Sequence, residues 1–229
     1  MKIARYIDHA VLKPAMTPEE VQSAIRLGID NDVYSVCVQP RDIETAVKMC
    51  EGTNTLVSCV LDFPHGCGGA EAKRAAARVY AEMGVKEIDM VMNYGAAKGG
   101  DWAAVRTEID AVVEEAHARG VLVKVIFETC ELSEDCIRQG VDVCVDVGAD
   151  FVKTSTGFST GGATREDVAL LRKNCAPQVK VKAAGGIKTL QDAEDFINLG
   201  AERLGTSRIV KLAIALEQQR EDDTPEGVY

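Results

Sequence analysis

Two lysines in this 229-residue chain sit where a solvated lysine has no reason to be. Lys153 lies in DFVKTSTG and Lys182 in VKVKAAGG, each inside an apolar, strand-like run. Burying an ammonium is costly unless it is paired or gives up its proton. Two that face each other disfavour one another's charge, which is one way to make a lysine nucleophilic toward a carbonyl carbon. The shift required is large, because a lysine of pKa about 10.4 is only about 0.04% neutral at pH 7. Bringing it near 7 takes roughly 4.6 kcal/mol of destabilisation of the ammonium, within reach of burial plus a neighbouring charge. The alternative is a set of buried ion pairs with Asp89 or Glu128, and spacing alone does not say which lysine would attack. Asp89, in EIDMVMN, would stay ionised beside two cations. It either moves a proton through water or only balances charge. Lys124 reads as a supporting counter-ion.

Two glycine-containing segments follow the lysines. Gly185-Gly186 comes after the Lys182 run, and Gly205-Thr206-Ser207-Arg208 after the next. Glycine lets backbone N–H groups approach an anion, and a following helix N-terminus favours negative charge. Together they predict a phosphate-binding site for a phosphate monoester. Asp8, Cys37 and Thr154 fall at other strand ends and are weaker pocket candidates. No metal site is expected: His9, His65 and His117 include no pair at i, i+4 spacing. His117 falls on a charged helix and should face solvent, while His65 is equally a pocket or a turn residue. No serine sits in a G-x-S-x-G elbow.

These residues need elements to position them. Gly28, Gly52, Gly84, Gly120, Gly148 and Gly200 each follow a helix-like stretch and precede a strand-like one, and Cys175-Ala176-Pro177 ends a seventh helix. Glycine past a helix end takes the left-handed conformation other residues resist. Seven such junctions imply eight strands, read at 6–12, 33–38, 55–61, 87–92, 121–127, 150–154, 179–183 and 203–206. They are short and rich in Val and Ile, as in a parallel sheet covered by helices. Val105, Ile109, Val112, Val113 and Ala116 give one helix a single apolar face. Thr17-Pro18-Glu19-Glu20, Thr164 with Asp167, and Thr189 with Asp192 read as helix starts. The predicted fold is α/β, a single eight-stranded parallel β/α (TIM) barrel over 1–216, with the site at the strand C-termini. The polar stretch 217–229 reads as a mobile tail. An open doubly wound sheet is the rival, but no G-x-G-x-x-G follows the first strand.

Composition narrows the partners. A formal charge of −10 argues against nucleic acid and anionic membrane, both of which need a basic face. Eight cysteines without C-x-x-C spacing, and no signal peptide or long apolar run, point to the reducing cytosol. Most of the thiols, Cys37 and Cys59 among them, read as small buried hydrophobes.

The segments IDHAVLKP (7–14), VCVQP (36–40), EIDMVMNYGAAKGGD (87–101), KVIFETCEL (124–132), DFVKTSTGF (150–158), VKAAGGIKT (181–189) and RLGTSRIV (203–210) resemble those of the deoxyribose-phosphate aldolase family in order and over nearly the whole chain. The resemblance implies a cofactor-free, metal-independent aldolase acting on a small phosphosugar and acetaldehyde, and a homo-oligomer. It implies Lys153 as the Schiff-base lysine, Lys182 as the lysine that perturbs it, and Asp89 as the proton-relay carboxylate. Another Schiff-base aldolase, a transaldolase, or a non-catalytic phosphosugar-binding barrel are the rival readings. Phe158 stands where part of the family has a lysine near the phosphate, and Arg208 is a candidate replacement. Gln39 and Asp62 also depart from the family pattern. Some members end in a tail with a terminal tyrosine, so Tyr229 is a candidate to reach the site.

Overall fold

The computed structural model describes residues 2–207. Eight strands close into one parallel barrel in sequence order: β1 (Ile7–Val11), β2 (Ser35–Val38), β3 (Leu56–Leu61), β4 (Glu87–Val91), β5 (Leu122–Ile126), β6 (Phe151–Lys153), β7 (Lys180–Ala184) and β8 (Ala201–Thr206). Between them run α1 (Pro18–Asp30), α2 (Ile43–Cys50), α3 (Ala70–Glu82), the short α4 (Tyr94–Lys98), α5 (Trp102–His117), α6 (Glu134–Val147), α7 (Arg165–Asn174) and α8 (Leu190–Asn198). The expected barrel and all eight strands are present. Residues 208–229, including the expected tail, Arg208 and Tyr229, lie outside the described residues. No helix among the described residues is long and apolar enough to cross a membrane.

Helix starts follow the local chemistry. Thr17 accepts from the Glu20 N–H while Glu20 returns to the Thr17 N–H, with Pro18 opening the first turn. Thr189 and Asp192 form the same reciprocal cap on α8, and Thr164 accepts from the Asp167 N–H on α7. On α5 the expected apolar face is buried: Val105, Ile109, Val112, Val113 and Ala116 all pack inward. Each fully buried Val or Ile contributes roughly 1.5–3 kcal/mol. These faces and the outward-facing strand residues make one continuous shell between helices and barrel. A separate small apolar cluster, Leu12, Cys37 and Val60 with Ala10 and Phe63, is the inner counterpart.

Most glycine junctions behave as expected, with positive φ at Gly52, Gly84, Gly120, Gly148 and Gly200. Gly28 is a correction. It is buried inside α1, which runs on to Asp30 before Asp32 takes the left-handed turn at φ 49°. A Cβ at Gly28 would stand 2.8 Å from Val36 Cγ1 on β2, so the glycine serves close packing of helix on sheet. The thiols are a second correction: Cys37, Cys50, Cys59 and Cys144 are buried, but Cys67 and Cys130 are exposed. Cys67 lies on the loop after β3 and Cys130 in the short 3-10 turn Thr129–Glu131 after β5, outside the packed core.

At Gly28 two effects compete. Alanine gains about 1 kcal/mol of helix propensity, whereas overpacking a closed core costs typically about 1–3 kcal/mol. Because Val36 is held in a central strand, the clash should win. Gly28→Ala is expected to lower the denaturant midpoint; a raised midpoint would mean that α1 has room to move off the sheet.

Candidate active site

Strand alternation sets what faces inward. Asp89 of β4 lies beside Lys124 of β5 in register, and Lys153 of β6 beside Lys182 of β7. With Asp8 on β1, Glu87 on β4 and Arg203 on β8, they form one buried network inside the barrel. Asp89 is its hub. Its Oδ2 accepts from Lys153 Nζ at 2.7 Å and from Lys182 Nζ at 2.8 Å, and its Oδ1 from Lys124 Nζ at 2.9 Å. Lys182 Nζ also donates to Asp8 Oδ2 at 2.5 Å, and Lys124 Nζ to Glu87 at 2.5 Å. Arg203 pairs with Glu87 at 3.0 Å and lies 3.2 Å over the Tyr34 ring, which covers the lower end. Ser35 donates to the other Asp8 oxygen at 2.7 Å.

Three carboxylates thus face four basic groups, so one base lacks a full counter-charge. The three lysines divide unequally. Burial disfavours the charge on all of them. For Lys124, Asp89, Glu87 and Asp8 outweigh burial and hold the ammonium well above the usual lysine range. For Lys182, Asp8 and Asp89 do the same, and its pKa is raised. For Lys153, burial together with the Lys182 charge outweighs Asp89, and its pKa is lowered. Asp89 itself is disfavoured by burial, but the three lysines hold its carboxyl well below the usual carboxylate range.

Lys153 and Lys182 open into a cavity of about 760 Å³ at the strand C-termini. Asp8, Cys37, Gly185, Gly186, Gly205, Thr206 and Ser207 also line it, so those expected site residues are brought together. Asp89 does not line it and meets the cavity only through the lysines above. Burial raises the Cys37 pKa and keeps the thiol neutral. Gly185 and Gly186 have φ of 80° and 75°, and Gly185 packs against Gly162. Gly205, by contrast, lies within β8, and a Cβ there would meet Ala184 Cβ at 2.8 Å and Lys182 Cε at 3.2 Å. It makes room for Lys182 as much as for any anion.

Thr154 is turned away from the cavity. Its hydroxyl accepts from the Ala184 N–H at 3.1 Å and donates to the Ala184 carbonyl at 3.2 Å, tying β6 to β7. The threonine of this segment that lines the cavity is Thr156, held through its hydroxyl and N–H by the buried Glu128. Glu128 therefore shapes the loop after Lys153 instead of pairing with either lysine. Phe158 lines the mouth with its ring edge-on to Phe63, centroids 5.2 Å apart. Gln39 donates to the Leu12 carbonyl at 2.9 Å. Asp62 accepts from the Gly68 N–H at 2.7 Å and lies 3.4 Å from Lys73, so it braces a loop. His65 is exposed outside the cavity wall, and His117 faces solvent beside Asp150 at 2.8 Å.

Sequence reasoning missed Lys13 and Lys188, two exposed cations on the cavity wall, because nothing distinguishes them from surface lysines in the sequence. It also missed Arg203 and Glu87. Each follows another charged residue, Glu202 or Lys86, at the start of a strand, although alternation with Gly205 and Asp89 marks both as inward.

Fold and site together define a β/α-barrel enzyme with an amine-bearing pocket suited to a carbonyl substrate. The comparisons agree. The family described as DeoC/LacD family aldolase matches residues 2–206. A deoxyribose-phosphate aldolase of Thermococcus gammatolerans is 45% identical over 214 residues, covering 93% of this chain and 95% of the relative. One of Listeria innocua is 41% identical, covering 97% and 100%. Among solved structures, the aldolase QR15 superposes with TM-score 0.91 at 33% identity, covering 97% and 99%. The tetrameric deoxyribose phosphate aldolase of Aeropyrum pernix gives 0.86 at 30%, covering 95% and 92%. The chain belongs to the DeoC/LacD aldolase family.

The buried charges dictate how the fold responds to acid. Burial pushes Asp8 up, but Lys182, Lys124 and Arg203 outweigh it and bring its pKa from 3.8 down to about 2. Its contribution is fully present above pH about 4 and is lost as pH falls toward 2. His9, on the outward face of β1, is held neutral by burial, its pKa lowered from 6.5 to about 4. The unfolded chain then takes up the proton first, so stability is lost as pH falls from 6.5 toward 4. Denaturant midpoints are expected to drop in two steps on acidification, and His9→Leu should remove only the upper one. An unchanged upper step in His9→Leu would contradict this.

Proposed function

We infer that the protein reversibly cleaves 2-deoxy-D-ribose 5-phosphate into acetaldehyde and D-glyceraldehyde 3-phosphate through a Schiff base on Lys153. The observation that carries the reading is the unequal pair at the cavity floor: Lys153 and Lys182 share one Asp89 oxygen, and the pKa of Lys153 alone of the two is lowered. The names of the relatives supply the substrate, and the cavity chemistry supports it.

Neutral Lys153 adds to the C1 aldehyde of the open-chain sugar, and loss of water gives a protonated imine. The imine draws in the electrons of the C2–C3 bond as it breaks, leaving an enamine on Lys153. The C3 hydroxyl proton leaves to a water held by Lys182, with Asp89 beneath as the charge that lets Lys182 exchange protons. D-Glyceraldehyde 3-phosphate departs, C2 of the enamine is protonated, and hydrolysis frees acetaldehyde. The phosphate is held at the Gly185-Gly186 turn and the Thr206-Ser207 segment, with Lys188 and Lys13 as nearby cations. Fixing that remote group orients C1 over Lys153. Arg208 is a further phosphate candidate and Tyr229 a further proton donor, both outside the described residues. Assembly as a homo-oligomer and a place in the cytosol belong to the same reading; light scattering of the purified chain checks the first.

Acetaldehyde release from deoxyribose 5-phosphate should persist with chelator present, and its absence would remove the assignment. Losing one charge-assisted contact costs roughly 1.5 kcal/mol, about tenfold. Lys188→Ala is therefore expected to raise KM for deoxyribose 5-phosphate about tenfold and leave unphosphorylated deoxyribose unaffected. Equal effects on both substrates would place the phosphate elsewhere.

A further inference from the structure

Asp89 does not distinguish the two lysines. Its Oδ2 is 2.7 Å from Lys153 Nζ and 2.8 Å from Lys182 Nζ, so this oxygen favours a proton on either amine equally. Something else must decide which lysine stays an ammonium and which becomes the nucleophile. Around the pair, β2 offers Ser35 and the Cys37 thiol, and β3 only Ser58. β4 offers Glu87 and Asp89, β5 Lys124, and β8 Arg203. Glu87 is taken by Lys124 and Arg203 below the pair. The remaining carboxylate is Asp8 on β1, fully buried, with Oδ2 at 2.5 Å from Lys182 Nζ. It makes no ion pair with Lys153, which stands at the opposite side of Lys182 in the β6–β7 register.

We propose that Asp8 is the positioning residue that assigns the roles of the two lysines: by adding a second carboxylate to Lys182 alone, it fixes the ammonium there and leaves Lys153 as the amine that attacks. Three details make it suited to the task. Ser35 donates to Oδ1 at 2.7 Å and orients the carboxylate so that Oδ2 points at Lys182. Gly205, the register partner of Asp8 on β8, leaves space for the Lys182 side chain to reach across. Lys124 and Arg203, each 3.5 Å from an Asp8 oxygen, keep the carboxylate ionised over the working pH range. Without Asp8, Lys182 and Lys153 would share the Asp89 charge evenly, and either could form the imine.

This rests on the Schiff-base reading above, and the tests separate the two. Asp8→Asn keeps the side-chain shape and an acceptor for Ser35 but removes the charge. With Lys182 no longer fixed as the cation, Lys153 holds its proton more often. The acid limb of kcat/KM is then expected to move to higher pH by about one unit, roughly a tenfold loss below the limb. Treatment with acetaldehyde and borohydride, followed by peptide mapping, should divide the reduced adduct between residues 153 and 182. A folded Asp8→Asn enzyme with its limb unmoved and its adduct confined to residue 153 would overturn the proposal. Should that variant not fold, lysine-selective carbon NMR of the unsubstituted enzyme decides: Lys153 must lose its proton at lower pH than Lys182, and the reverse order refutes the role of Asp8. If the unsubstituted enzyme releases no acetaldehyde, the reaction fails instead, while the order of deprotonation still reports on Asp8.

Discussion

The structure depends on a charge mismatch sealed inside a barrel. Four buried basic groups share three buried carboxylates, and of the three lysines it is Lys153 whose pKa is lowered, by burial and the neighbouring Lys182 charge. A buried ion pair is weak evidence for stability, since desolvation can exceed the Coulombic gain. A connected buried network with one base left short is better explained by chemistry. The lowered proton affinity of Lys153 is a consequence of burial that the whole fold supplies.

That fold is built to carry the cost. The helices and outward strand faces supply an unbroken apolar shell, and so the interior can be given over to charge without loss of a core. Many barrels of this type fill the interior with Val, Ile and Leu in layers; here the inward positions mix the charged network with buried apolar residues such as Val60, Val91, Ile126 and Phe151. Parallel pairing sets the geometry. Lys153 lies beside Lys182 and Asp89 beside Lys124 because the strands are in register, and a one-residue slip would turn each of these side chains out of the barrel. The loops above are then free to differ. Glu128 pins Thr156, Asp62 braces the turn after β3, and Phe158 meets Phe63 edge-to-face at the mouth.

The barrel, Lys153, Lys182 and Asp89 were legible in the sequence because a charged residue within a Val- and Ile-rich run breaks the expected pattern, and breaks are informative. Gly28 was misread because a glycine that packs and a glycine that stops a helix look alike until the neighbouring strand is seen. Thr154 and Thr156 could have been separated by alternation: Thr154 follows inward Lys153 and so must face out. Asp8 was visible as a strand-end carboxylate, but its pairing with Lys182 crosses from β1 to β7, a contact 174 residues apart that closure of the barrel alone creates. Lys13 and Lys188 carried no signal, since a lysine in a polar loop is the commonest surface residue of its kind.

Neutron diffraction from deuterated crystals of the unliganded enzyme, at the pH of maximal activity, would test the central claim most directly. The account predicts two deuterons on Lys153 Nζ and three on both Lys182 Nζ and Lys124 Nζ. Three deuterons on Lys153 with two on Lys182 would contradict it.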